Sequence, residues 1–252
     1  MHMADALLSP AVGATMWLAS GAALTVSARR LREQADDRLV PLMGVLGAFV
    51  FAAQMINFAI PATGSSGHLG GGLLLSILLG PYAALIVIAS VLTVQALFFA
   101  DGGLLALGAN IFNLGVLPCF VAYPLIYRPI AGDGASTSRV AVGAVAASLV
   151  GLQLGALGVV LQTVASGISS LPLATFLLLM LPIHLAIGLV EGLATAAVAL
   201  FIRRARPDLL VPGGGTTSSR ATLKPLLAAL GVAAVVTGGA LSWFASSQPD
   251  GL

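Results

Sequence analysis

The sequence predicts an all-α, polytopic membrane protein with about seven transmembrane helices and one further transmembrane helix near the C-terminus. Three observations carry this. Of its 252 residues, 58% are hydrophobic and 8% charged, against roughly 25% charged in an ordinary soluble domain. Apolar runs of about 18 residues or more, enough to cross the roughly 30 Å hydrocarbon layer, recur from Ala11 to Ala245. The 11 Lys and Arg residues gather in short groups at the ends of those runs, as the loop charges that set membrane orientation do. A net charge of +2 scattered in this way is not a nucleic-acid footprint. The lipid bilayer of the cell membrane is the expected surroundings.

The apolar segments run at about 11–28, 40–60, 69–79, 81–99, 103–127, 140–165, 172–202 and 223–245, bounded by Gly, Pro and charged residues. Arg29, Arg30, Arg32 and Arg38 follow the first segment, Arg128 and Arg139 flank a Gly/Ser-rich loop, and Arg203, Arg204, Arg206, Arg220 and Lys224 precede the last. With all of these on the cytoplasmic side, the chain between Arg38 and Arg128 must cross an even number of times. Three spans are apparent there, so one of them divides. The stretch 69–99 is too long for a single span, and Gly80-Pro81 interrupts it where a helix loses a hydrogen bond and the ring clashes with the turn before it. A short descending helix and a full ascending one are expected on either side. The N-terminus, the 61–70 loop, the Asp101-Gly102-Gly103 turn and the 166–171 loop then fall outside the cytoplasm. In 172–202, Pro182 is expected to separate an outer peripheral piece from a spanning helix at about 183–203.

This gives a first module at 1–206, a linker at 207–222 containing Pro212-Gly213-Gly214-Gly215, and a C-terminal transmembrane segment in 223–252. The N-terminus lacks the basic stretch of a secretory signal and carries Asp5 instead. Cleavage is not expected. A bulky second residue such as His2 also blocks removal of the initiator methionine, so the mature chain is expected to begin Met1-His2. The single cysteine, Cys119, reads as a small packing residue in an apolar stretch.

Two of the three histidines, His2 and His68, fall on the outer side in this topology. A free amino terminus followed by histidine offers the Met1 amine, the His2 backbone nitrogen if deprotonated, and the His2 imidazole. Amine and amide close one chelate ring, amide and Nδ1 another. Such a set is nearly planar and leaves one corner for a fourth nitrogen, which His68 can supply, and nitrogen donors in a tetragonal plane suit Ni(II), Cu(II) or low-spin Co(II). Around His68, Gly64-Ser65-Ser66-Gly67-His68-Leu69-Gly70-Gly71-Gly72 has little side-chain bulk and can enter a crowded site. Taken singly, however, His2 reads as a terminal residue and His68 as a surface residue of a glycine loop. Spacing alone favours that reading.

A resemblance changes the weighting. Met1-His2-Met3-Ala4-Asp5-Ala6-Leu7-Leu8-Ser9-Pro10, Phe51-Ala52-Ala53-Gln54-Met55-Ile56-Asn57-Phe58, Ser66-Gly67-His68-Leu69, Gly80-Pro81, Asp101-Gly102-Gly103 with Leu107-Gly108-Ala109-Asn110, and His184 to Glu191-Gly192-Leu193 together resemble the substrate-capture subunit of nickel/cobalt energy-coupling-factor transporters, the CbiM/NikM family. The resemblance runs from Met1 to about Arg204. It implies an energy-coupling-factor substrate-binding bundle that takes up Ni(II) or Co(II) as transported substrate, with no catalytic cofactor. The metal would serve cobalamin biosynthesis or nickel enzymes. It also implies ligands at Met1, His2 and His68 in a square plane, and as partners a transmembrane coupling subunit, two cytoplasmic ATPases and a small accessory membrane subunit. Met3-Ala4-Asp5-Ala6 stands where Ile-Pro-Asp-Gly is commoner in the family, and Gly64-Ser65-Ser66 where Gly-Thr-Ser is frequent. Ser242 to Leu252 resembles the first part of an accessory domain ending in Pro-Asp-Gly-Leu-Glu, which is therefore expected to be truncated here.

Asn57, Ser66 and Asn110 are the candidates for orienting the ligating imidazoles, since such rings need an acceptor on the far nitrogen. Gln54, Gln95, Asn113 and Gln153 read as interhelical hydrogen-bonders, and Gly151 with Gly155 as a close-packing face. His184 and Glu191 share a helix face, and an ionisable group inside a span is functional by default; a buried structural pairing or docking to the coupling subunit is preferred over a second metal site. Two other functions compete with metal capture. A stand-alone secondary transporter lacks repeated broken helices with midplane acids, and an intramembrane enzyme using His184 and Glu191 lacks a nucleophile or ligand triad beside them. No nucleotide-binding or hydrolase motif occurs, so the chain is expected not to be an enzyme. The topology itself is testable by cysteine labelling in intact cells: 61–70 should react from outside and 128–139 only after permeabilisation. An external 128–139 loop would contradict the parity reasoning.

Overall fold

The computed structural model describes residues 1–34, 39–132 and 134–205; the linker expected at 207–222 and the C-terminal segment in 223–252 lie outside them. Among the described residues the helices longer than a few turns or packed at the core are α1 (Pro10–Gln34), α2 (Leu39–Gln54), α3 (Gly72–Leu79), α4 (Pro81–Phe98), α5 (Leu107–Ala131), α6 (Thr137–Ser166) and α7 (Leu173–Ala205). Helices α1 and α4 to α7 are long and apolar enough to cross a membrane, α2 is shorter, and α3 has 8 residues. The fold is the expected helical membrane bundle. Side chains such as Leu18, Phe98, Leu125 and Leu178 point outward, because lipid tails solvate them as well as a core would.

Gly80 and Pro81 divide the long apolar stretch as expected. Gly80 turns with φ at 79° and Pro81 opens α4, where its missing N–H has no helical partner to lose. Helix α3 is thereby buried almost along its whole length. Cys119 packs beside it, fully buried, with Sγ 3.8 Å from the Gly72 carbonyl. In α5 the turns widen at Phe112–Val116 and Pro118–Tyr127, where Pro118 and Pro124 withhold backbone donors.

Pro182 does not divide α7, contrary to expectation: the helix runs unbroken from Leu173 to Ala205. Pro182 leaves the Leu178 carbonyl without its helical donor, yet the helix continues, as helices do within a membrane bundle that packs around the proline. Gln153 Nε2 on α6 donates to the Leu181 carbonyl (2.8 Å) and His184 Nδ1 to that of Met180 (2.8 Å). The same two helices approach backbone to backbone. A Cβ at Gly192 would stand 2.6 Å from Val145 Cα, and one at Gly188 3.1 Å from Leu149 Cα, the small-residue packing typical of membrane helices.

Between α2 and α3 the chain makes a β-hairpin, β1 (Phe58–Ile60) and β2 (Ser65–Gly67), with Phe58 opposite Gly67 and Ile60 opposite Ser65. Met3 adds a bridge to Ser65. The N-terminal arm is thus a third, very short strand on the hairpin's free edge. Such irregular backbone is tolerated at membrane depth only where protein surrounds it, and β2 is buried at all three positions.

Helix α1 is clamped to α5 by Trp17 Nε1 donating to the Leu104 carbonyl (2.8 Å) and Ser20 Oγ donating to that of Gly108 (2.6 Å). A Cβ at Gly108 would stand 2.6 Å from both Cα and N of Trp17. That neighbour is backbone and cannot step aside. Gly108→Val should therefore lower stability by about 1–3 kcal/mol, read as a fall in the thermal unfolding midpoint in detergent, while Gly21→Ala, where an added Cβ has nothing within 4 Å, should not lower it.

Candidate metal centre

The N-terminal arm lies inside the bundle. Met1, His2 and Met3 are 1%, 1% and 0% exposed, and a buried backbone must be hydrogen-bonded. Asn110 of α5 supplies both halves of a peptide-like pairing: its Oδ1 accepts from Met3 N (2.9 Å) and its Nδ2 donates to Met3 O (3.1 Å). Ser65 Oγ donates to the His2 carbonyl (2.9 Å). The Met1 amine donates to the Ser66 carbonyl. Farther along, Asp5 Oδ1 accepts from Ala106 N (2.9 Å) at the start of α5, where a carboxylate suits the exposed amides and the helix dipole.

The Met1 side chain fills space that only a glycine leaves open. A Cβ at Gly155 of α6 would stand 2.7 Å from Met1 Sδ and 3.0 Å from the Asn113 carbonyl. The Gly151/Gly155 face thus does two jobs: Gly151 packs on Ala122 and Pro118, and Gly155 seats the first residue of the chain.

His2 and His68, 66 positions apart in sequence, stack with ring centroids 4.5 Å apart and planes at 30°. His68 is buried. Its Nδ1 donates to the Leu69 carbonyl (2.8 Å), since a carbonyl can only accept, and its Nε2 is buried without a hydrogen-bond partner. That fixes the tautomer with a lone pair on Nε2, the form that ligates a metal. Burial, then the nearby terminal amine and His2, hold the His68 imidazole well below the ordinary histidine range, so it remains neutral at neutral pH. His2 Nδ1 stands 3.2 Å from Asp101 Oδ1.

The loop after His68 is held from two sides. Glu191 of α7 accepts from Gly70 N (2.5 Å) and Gly71 N (3.1 Å), and Gln54 Nε2 of α2 donates to the Gly70 carbonyl (2.7 Å). A Cβ at Gly70 would stand 3.3 Å from Glu191 Oε2. This is the function of the acid that the sequence marks as unusual within a span; its partner is backbone amide, which no residue pattern announces. His184 lies on the same helix, fully buried, with Nδ1 on its own helix's Met180 carbonyl.

Of the three proposed orienting residues, Asn110 pins the arm that carries His2, and Ser66 acts through its carbonyl on the amine while its Oγ is buried without a partner. Asn57 is buried just before β1 with Oδ1 unpartnered. Neither Asn110 nor Ser66 is bonded to an imidazole nitrogen; the group beside the His2 ring nitrogen is Asp101. In the sequence Asp101 registers as the head of a Gly-Gly turn and as part of the family resemblance, not as a neighbour of His2.

Donors gathered at one buried point, with two imidazoles and an amine, can hold a late first-row divalent ion. Comparison with known proteins gives the family. The family described as the cobalt uptake substrate-specific transmembrane region matches residues 2–209, and a PDGLE domain matches 224–252. A provisionally named metal transport protein of Haloquadratum walsbyi is 37% identical over 212 residues, 83% of this chain and 93% of that one. A cobalt transport protein of Sorangium cellulosum is 32% identical over 222 residues, 83% and 94% of the two chains. A fused nickel transport protein of Rhodobacter capsulatus is 33% identical over 227 residues, 84% of this chain and 64% of its own. The crystal structure of a truncated transition metal transporter matches with a TM-score of 0.73 at 32% identity, covering 81% of this chain and 99% of that one. The chain belongs to the cobalt-uptake substrate-specific transmembrane family and is a multi-pass membrane protein of cobalt and nickel transport, not an enzyme.

Proposed function

We propose that the chain is the substrate-capture subunit of an energy-coupling-factor transporter. It holds Ni(II) or Co(II) through the Met1 amine, the His2 amide and Nδ1, and His68 Nε2, and presents the ion to a transmembrane coupling subunit driven by two cytoplasmic ATPases. In this reading residues 1–206 form the capture domain with its N-terminus outside the cytoplasm, 207–222 the linker and 223–252 an accessory transmembrane segment. The observation that carries it is the burial of a chain terminus beside two stacked imidazoles. A buried amine is costly, and a role as ligand accounts for its retention.

The donor set has a chemical direction. Planar nitrogen donors, one of them a deprotonated amide, favour ions that accept a strong tetragonal field, hence Ni(II) and low-spin Co(II) over Mg(II), Ca(II) or tetrahedral Zn(II). His68 arrives in its ligating tautomer and needs no deprotonation near neutral pH. The amine and amide do lose protons on binding, so occupancy should fall as the medium is acidified.

Four measurements test the reading. Metal analysis of purified C-terminally tagged protein should find one Ni(II) or Co(II) per chain. His68→Ala, which removes one of four donors, should abolish stoichiometric binding while the protein remains folded; unchanged binding would exclude His68. An N-terminally extended form should also come out metal-free although both histidines remain, because the extension turns the amine into a non-basic amide and adds backbone to a filled site. Equal metal in the extended and unextended forms would refute the amino-terminal chelate. Uptake in vesicles containing the partner subunits should require ATP; uptake by this chain alone would point to a secondary transporter.

A further inference from the structure

We propose that Asp101 is the counter-charge of the metal site: its carboxylate, set against the His2 imidazole, balances the positive charge that a divalent ion brings into the buried chelate. The inference rests on the amino-terminal reading and extends it to a residue outside the donor set.

The charge count comes first. A divalent ion bound by a neutral amine, two neutral imidazoles and one deprotonated amide leaves a net single positive charge on the complex. Met1, His2 and His68 are 1%, 1% and 2% exposed, and a charge so placed is costly unless an opposite charge is close. Among the described residues Glu191 and Asp5 also lie near the arm or its loop, and both bind backbone amides. Glu191 is bound to the amides of Gly70 and Gly71, and Asp5, exposed, accepts from Ala106 N. Asp101 is buried and its Oδ1 lies 3.2 Å from His2 Nδ1.

The backbone holds that carboxylate in place. Asp101 N donates to the Gln95 carbonyl at the end of α4 (3.2 Å). The preceding residue, Ala100, takes φ at 52°, a left-handed conformation that is unfavourable for alanine and persists only where the surroundings impose it. Gly102 follows with φ at 83°, and a Cβ there would stand 3.0 Å from Asn110 Nδ2 and 3.8 Å from His2 Cδ2. The turn is moulded around the same arm that carries His2, so Asp101 acts through position and charge.

The test measures Ni(II) affinity by calorimetry, and the ligand-field absorption of the Ni(II) complex, on the full-length chain with an unmodified N-terminus. Asp101→Asn keeps the shape and removes the charge; it should weaken binding about 10–100-fold while the absorption band at saturating metal and the melting of the metal-free protein stay as in the wild type. Asp101→Glu, which retains the charge, should recover at least part of the affinity. Wild-type affinity in the Asn variant overturns the proposal, as does a Glu variant no better than Asn, or loss of the band at saturation, which would make Asp101 a ligand or a structural prop. Failure of the underlying site is distinguishable: it would appear in the unmodified protein as absence of stoichiometric Ni(II).

Discussion

A chain terminus buried in an apolar bundle needs partners for its backbone polar groups, and those that Met1 to Met3 find are the constraint around which the surrounding elements are arranged. Asn110 meets both the N–H and the carbonyl of Met3, Ser65 meets the His2 carbonyl and the Ser66 carbonyl meets the amine. These partners come from α5 and β2. Neither element can move far without stranding a buried polar group, at a cost of about 1–3 kcal/mol each. The arm is therefore a structural member of the bundle as well as the bearer of His2, which is why a site built on a terminus can be well ordered.

The hairpin and the loop after it extend this constraint to the rest of the bundle. Glu191 reaches from α7 to the amides of Gly70 and Gly71, and Gln54 from α2 to the Gly70 carbonyl, so His68 sits on a segment gripped from two helices. Glycine at these positions is a matter of clearance. At Gly155 any side chain would collide with Met1, and at Gly67 a Cβ would stand 2.7 Å from the Phe58 ring and 3.0 Å from Ile187. The loop carrying His68 is thus joined to long helices through short contacts, and a motion of α7 would be felt there.

Much of this was legible in the sequence, for identifiable reasons. Composition and the spacing of apolar runs settle a helical membrane fold, and Gly80-Pro81 marks a break because a positive φ and a missing N–H leave the chain little choice. Pro182 carries the same local signal and misleads, because a proline inside a membrane helix is tolerated where neighbouring helices pack around it, a circumstance that no local residue pattern shows. At the site, His2 and His68 taken singly read as a terminal and a surface residue, and it is the family resemblance that pairs them; the fold stacks their rings. Asp101 and Glu191 do not reveal their partners: one faces an imidazole 99 positions away and the other accepts from glycine amides, contacts that only the folded chain creates. Asn110 stood out as a polar residue in an apolar helix, yet its target is the backbone of the arm, where an imidazole was expected.

What holds these observations together is the claim that the buried terminus is a ligand and not merely a tethered end. X-ray absorption at the nickel edge of the Ni(II)-loaded protein, purified with its N-terminus unmodified, tests that claim most directly. An amino-terminal chelate gives a four-coordinate planar environment of light donors, with the strong pre-edge transition of square-planar nickel and no sulfur shell. A six-coordinate environment with oxygen donors, or one with a sulfur neighbour, would contradict it.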